Sequence, residues 1–122
     1  MMWSHYADNH KGIAIEITVD RKKEKELFKV IYSKAIPELA VNRNLTAIDM
    51  LCHKIRIWSY ENEYRCISKK MHFDIQSITG IFFGVRVKSE VKEQIIKLVG
   101  ESIPTFDTKI DFERNRIVRA QG

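Results

Sequence analysis

Apolar residues fall at every second position in "GIAIEITVD". Ile13, Ile15, Ile17 and Val19 share one side, and Ala14, Glu16 and Thr18 the other. A period of two is that of a half-buried β-strand. The mixed-sign run "RKKEKE" that follows reads as a solvated turn or the start of a short helix, and "LFKVIYS" as a second strand. Pro37 suits the first position of a helix. From Glu38 to about Trp58, Leu39, Leu45, Ile48, Leu51, Cys52 and Ile55 recur at helical spacing, with an interruption at Asn42–Thr46 after which Thr46 caps a second helix. "EYRCIS" returns to strand, and "MHFDI" reads as a short strand or loop beside it.

"ITGIFFGVRV" is the most apolar run and predicts a central strand, its two glycines marking a bulge or a close backbone approach. Ser89 is the expected N-cap of "EVKEQIIKLVG". Val91, Ile95, Leu98 and Val99 should face inward, and Gly100 should end the helix. "FDTKIDF" and "RIVRA" form a hairpin across "ERN". The predicted order is β-β-α-β-β-β-α-β-β. It implies an α+β fold: a mainly antiparallel or mixed sheet with two or three helices packed on it. No repeat or Pro/Gly-rich linker divides residues 1–122, so a single domain is expected.

Composition narrows the class. With 44% hydrophobic and 30% charged residues the chain reads as soluble and globular. No apolar run approaches the roughly 20 residues of a membrane span, and the polar stretch Trp3–Lys11 excludes a signal peptide. A cytoplasmic location is the default. Cys52 and Cys66 are too few for a disulfide framework and are read as buried thiols. A net charge of +5 favours anionic partners such as nucleic acid, nucleotides or anionic lipid.

Two stretches carry candidate chemistry. The first is Trp3, His5, Tyr6, Asp8, His10 and Lys11, closed by Gly12, in a loop that enters a strand. His5, Asp8 and His10 could in principle hold a metal, but their spacing matches no strong motif and no metal site is assigned. The plainer reading packs Trp3 and Tyr6 over the sheet end and gives His5 a structural hydrogen bond. The second stretch is "KIRIWSYENEYR", with Lys54, Trp58, Tyr60, Glu61, Glu63, Tyr64 and Arg65. On a strand, Glu61, Glu63 and Arg65 would share one face. Two such carboxylates raise each other's pKa and the arginine offsets this. The set suits a ribose, whose vicinal hydroxyls donate to carboxylates. It equally suits a structural Glu–Arg pair.

"MWSHYADNHKGIAIEI", the "VIY" strand, "K-x-x-x-W-x-Y-E-x-E-Y-R" and "ITGIFFG" occur in that order. Together, from Met2 to about Phe112, they resemble a bacterial family, domain of unknown function 2971. The family pattern places a longer part before "W-x-H-Y-A", with a Tyr/His-rich strand and an Asn-Asp-Pro-type loop. The resemblance therefore implies a shortened member or a truncated reading frame, and a site incomplete in one chain. It also implies a loose likeness to ADP-ribosyltransferase-type folds, in which an "E-x-E" glutamate works beside NAD.

Three functions follow as expectations. The first is a nucleotide- or NAD-related binding or transferase-like domain, in an intact or a degenerate form. In it Glu63 stabilises an oxocarbenium-like centre, Glu61 orients ribose, His5 and Tyr6 hold the ligand, and Arg65 or Lys54 meets phosphate; Trp3 and Trp58 complete the neighbourhood. The second is a nucleic-acid-binding or nuclease-like accessory of phage or mobile-element conflict, although Glu63-Tyr64-Arg65 lacks the usual Glu-x-Lys. The third is a non-catalytic interaction module. A homodimer is expected, because a missing N-terminal part would leave the "GIAIEITV" or "ITGIFFGV" strand unpaired.

Overall fold

The alternating run that begins at Gly12 does form a strand, and it lies at the edge of the largest sheet. A computed structural model describes residues 2–20, 26–34, 46–69 and 77–120. The chain folds as two compact units, one made of Met1–Thr18 with Phe73–Gly122 and the other of Val19–His72. Helices and mixed sheets together make the fold α+β, as the order of elements implied.

In the first unit a short helix α1 (Met2–Tyr6) leads to strand β1 (Ile13–Ile17). Later in the chain come β6 (Ile78–Phe83), α3 (Ser89–Val99), β7 (Thr105–Asp111) and β8 (Arg116–Arg119). The sheet order is β1-β6-β7-β8, so β6 is internal as expected. β6 runs antiparallel to β1 and parallel to β7, and β7 and β8 form the predicted hairpin. A parallel pair needs a crossover, and α3 is that crossover. Alternation along β6 sends Ile81 and Phe83 to one face, where they are buried with Val87 and Ile103. Ile95 and Val99 of α3 pack on this cluster. On the opposite face Phe82 meets Phe106 with ring centroids 5.0 Å apart, and the Arg119 guanidinium lies 3.7 Å from the centre of Phe106.

Several expectations change here. The opening stretch is a helix followed by a left-handed turn, not a loop: Asp8, Asn9 and His10 have φ of 43°, 53° and 69°. That turn ends α1, because the N–H groups of Asn9, His10 and Gly12 donate to the carbonyls of Ser4, Trp3 and Ala7. Gly84 explains part of the glycine spacing. A Cβ there would lie 2.3 Å from the His10 carbonyl oxygen, so only glycine admits the turn against β6. Ser89 is the first helical residue and Lys88 the N-cap; Gly100 is the C-cap, as predicted. Leu98 does not face inward and is 85% exposed, since only Ile95 and Val99 of the expected set point at the core cluster.

Among its described residues the second unit has two separate two-stranded pairings. "LFKVIYS" divides into β2 (Leu27–Lys29) and β3 (Ile31–Ser33) around the buried Val30. β2 pairs antiparallel with β5 (Tyr64–Cys66), and β3 pairs parallel with β4 (His53–Ile55). Helix α2 (Ala47–Leu51) opens on Thr46 in a capping box with Asp49, so the Thr46 cap is as predicted. The helix stops at Leu51 rather than near Trp58. Cys52 closes it, β4 follows, and a 3₁₀ helix runs over Arg56–Glu61. The apolar spacing of Cys52 and Ile55 mimicked a helix, but β4 instead satisfies its backbone through β3. Cys52 is buried as expected. Cys66 is exposed, on the open side of the β2–β5 ribbon. Residues 35–45, with Pro37, and the "MHFDI" stretch at 71–75 lie outside the described residues. No helix among the described residues is long and apolar enough to cross a membrane.

Candidate functional site

The candidate residues fall into two groups, one in each unit. Trp3, His5 and Tyr6 belong to α1 in the first. Lys54, Trp58, Glu61, Glu63 and Arg65 belong to the second. Each group is described by itself.

On α1 the rings of His5 and Tyr6 meet edge to face at 6.4 Å, and both side chains reach the surface. Trp3 is half-buried. The polar atom that stands out here belongs to His10, whose Nδ1 is buried and without a hydrogen-bond partner. Its backbone is committed on both sides, with the N–H on Trp3 and the carbonyl accepting from Arg86.

The second group is a set of linked ion pairs. Lys54 stands on β4. Glu61 ends the 3₁₀ helix, Asn62 takes a left-handed conformation at φ 44°, and Glu63 then leads into β5. This turn corrects the expectation that Glu61 and Glu63 share a strand face. It brings both carboxylates onto one ammonium: Lys54 Nζ lies 2.5 Å from Glu61 Oε2 and 3.1 Å from Glu63 Oε2. Arg65 then grips Glu63, with Nε 2.7 Å from Oε1 and Nη2 3.5 Å from Oε2. Its Nη1 donates to the Leu51 carbonyl, an open acceptor at the end of α2. Glu63 is held from the backbone as well. Its N–H donates to the Tyr32 hydroxyl at 2.9 Å, and its carbonyl accepts from Val30.

The electrostatics follow from this geometry. The Arg65 hydrogen bond holds the Glu63 carboxyl below the usual glutamate range; burial opposes it, and Lys54 adds a smaller lowering. Glu63 in turn raises the Arg65 guanidinium above its ordinary value. Expected mutual raising of the two acids therefore gives way, for Glu63, to two cations within hydrogen-bond reach. The two glutamates also differ in access. The Glu61 side chain is 3% exposed and the Glu63 side chain 27% exposed. Glu61 is thus a holder of Lys54, while Glu63 is an ionised acceptor open to solvent. Lys54 also lies 5.2 Å from the centre of the Trp58 ring, and Trp58 and Tyr60 stand 6.0 Å apart.

Sequence reasoning missed Tyr32. Its one signal was a phenol inside the apolar "VIY" strand, since a Tyr hydroxyl in a half-buried place needs a partner.

Residues 2–66 match the family model described as Protein of unknown function (DUF2971). The chain belongs to this family. All eight candidate residues lie inside the DUF2971 span, which ends on the last residue of β5. The resemblance read from the sequence ran on to about Phe112, beyond the matched span. No curated protein and no solved structure matches the chain.

Proposed function

We propose that this DUF2971 member binds a nucleotide- or NAD-related ligand in its Val19–His72 unit, with Glu63 as the group that meets the ribose. The observation that carries this reading is the Glu63 carboxylate, fixed and ionised by Arg65 and Lys54 yet still open to solvent. An anchored anion accepts from vicinal hydroxyls and favours positive charge developing on a sugar carbon. It is a poor proton donor near neutral pH. Glu61 acts on the ligand only by positioning Lys54, and Trp58 offers a ring beside that ammonium.

Thermal unfolding with NAD, ADP-ribose and AMP tests the proposal. A ligand at about 100 times its Kd stabilises the native state by about 2.7 kcal/mol. The expected result is a raised Tm with at least one of the three, lost in Glu63→Gln. Unmoved Tm with all three at millimolar concentration ends it.

Self-association is the second part of the proposal. β1 occupies a sheet edge, and Ile15 is 52% exposed there. A second copy, paired β1 to β1 about a two-fold axis, would cover that edge. Sedimentation equilibrium showing a single 14.4 kDa species across the micromolar range would exclude it.

A further inference from the structure

We infer that the open side of the β2–β5 ribbon is a contact surface for single-stranded nucleic acid, distinct from the Glu63 cluster. Three observations support this. The first is where the charge lies. In Val19–His72, Lys and Arg number 12 against 7 Asp and Glu; in the other unit they stand at 9 against 9. The whole +5 excess therefore belongs to one unit, which gives it a field that attracts polyanions.

The second is the register. Lys29 lies opposite Tyr64 and Leu27 opposite Cys66, so these four share one side of the ribbon. Phe28 and Arg65 share the other, and Glu63 follows Arg65 by alternation. The ribbon thus separates an ion-paired side from an open one.

The third is the chemistry of the open side. The Tyr64 ring is 55% exposed, and the Lys29 ammonium stands 5.9 Å from its centre. An exposed ring with a cation over it, too far off to be in contact, matches a nucleotide in a strand, whose base and phosphate are joined through one sugar. Stacking on Tyr64 and ion pairing with Lys29 would occur together. A base inside a duplex offers no free face to such a ring, which is why the single strand is the partner.

The test is fluorescence anisotropy of a labelled oligothymidylate of about 15 nucleotides. The full chain is titrated in at about 50 mM and about 200 mM salt. Binding should weaken by about 2.6-fold between the two salts for each phosphate contact, of which Lys29 supplies one. A duplex of equal length should bind more weakly. The pair Lys29→Gln and Tyr64→Ala should reduce affinity about tenfold or more, while Tyr64→Phe keeps it. Both positions are exposed, so circular dichroism should show unchanged folding. Glu63→Gln removes a negative charge from the other side of the ribbon and should bind the oligonucleotide at least as tightly as the native chain, which separates this surface from the ribose proposal. Absence of binding at about 50 mM salt overturns the inference. So does equal affinity for duplex, or undiminished binding in the double variant.

Discussion

The two units of this chain hold together by different means. In the first, four apolar side chains, Ile81, Phe83, Val87 and Ile103, form the centre, and charge is balanced. In the second, the buried residues among those described are Val30, Cys52 and the carboxylate-bearing Glu61, and the described strands are three residues long. Such short ribbons bury little, so polar contacts must join them. Arg65 illustrates how. It ties β5 to the end of α2 through Leu51, while Glu63 ties the same segment to β3 through Tyr32. A unit built on directed polar bonds positions charged groups well, and that is where the candidate ligand site lies.

Each unit carries one tryptophan, Trp3 in the first and Trp58 in the second. Trp3→Phe and Trp58→Phe backgrounds therefore let each be followed alone in urea. The largest effect should come from Phe83→Ala, which removes a ring that is 2% exposed. The expected loss is about 3–5 kcal/mol, read by Trp3. If Trp58 moves by the same amount, the two units unfold as one and the contrast between them is structural only.

Glu61→Ala comes next. A charge left wholly without a partner in the interior costs about 3–5 kcal/mol, but Lys54 still has Glu63. About 2 kcal/mol is expected, seen first by Trp58, whose ring carries Lys54. A change below about 0.5 kcal/mol would show that the ion cluster does not hold this unit together.

Arg65→Ala sharpens the comparison through pH. The Arg65 side chain is 34% exposed, so the pair is worth about 1 kcal/mol. The folded pKa of Glu63 lies below its ordinary value of about 4.5. Its contribution is therefore complete above that value and is lost as pH falls through the lowered folded one. The native chain should lose Trp58-reported stability in this acid window. Arg65→Ala should lose less, giving a flatter curve. Equal slopes in both would remove Arg65 as the cause of the shift.

How legible this was depended on the source of each feature. β1, β6, the β7–β8 hairpin, the Thr46 cap and the Gly100 stop follow from local pattern, and all were readable. The break in "LFKVIYS" was not. Val30 ends one strand and begins another only because two distant partners, β5 and β4, compete for the adjoining segments. The helix drawn from Glu38 to Trp58 failed at Cys52 for the same reason. Lys54, Glu61, Glu63 and Arg65 belong to one stretch, "KIRIWSYENEYR", and lie together because they are close in sequence. Their bonding was not legible. It depends on the left-handed Asn62, a single backbone choice that turns Glu61 off the strand and onto Lys54.

The smallest predicted effect is at Thr46, and it isolates local from tertiary stabilisation. Thr46 Oγ1 accepts from the Asp49 N–H at 3.2 Å, and the Asp49 carboxylate accepts from the Thr46 N–H at 2.9 Å. Together they satisfy two donors at the start of a helix only five residues long. Such a helix is too short to stand by itself, so its cap matters in proportion. Thr46→Ala should cost about 1 kcal/mol, and Thr46→Ser should restore most of it. The loss should be reported by Trp58 and not by Trp3, because α2 belongs to the Val19–His72 unit. It should also reach the ion cluster. The Leu51 carbonyl that receives Arg65 belongs to the last turn of α2, so fraying from Thr46 would loosen the grip on Glu63. A Thr46→Ala, Arg65→Ala double variant should therefore lose less than the two single losses added together. Strict additivity would show that α2 and the cluster stabilise the unit independently.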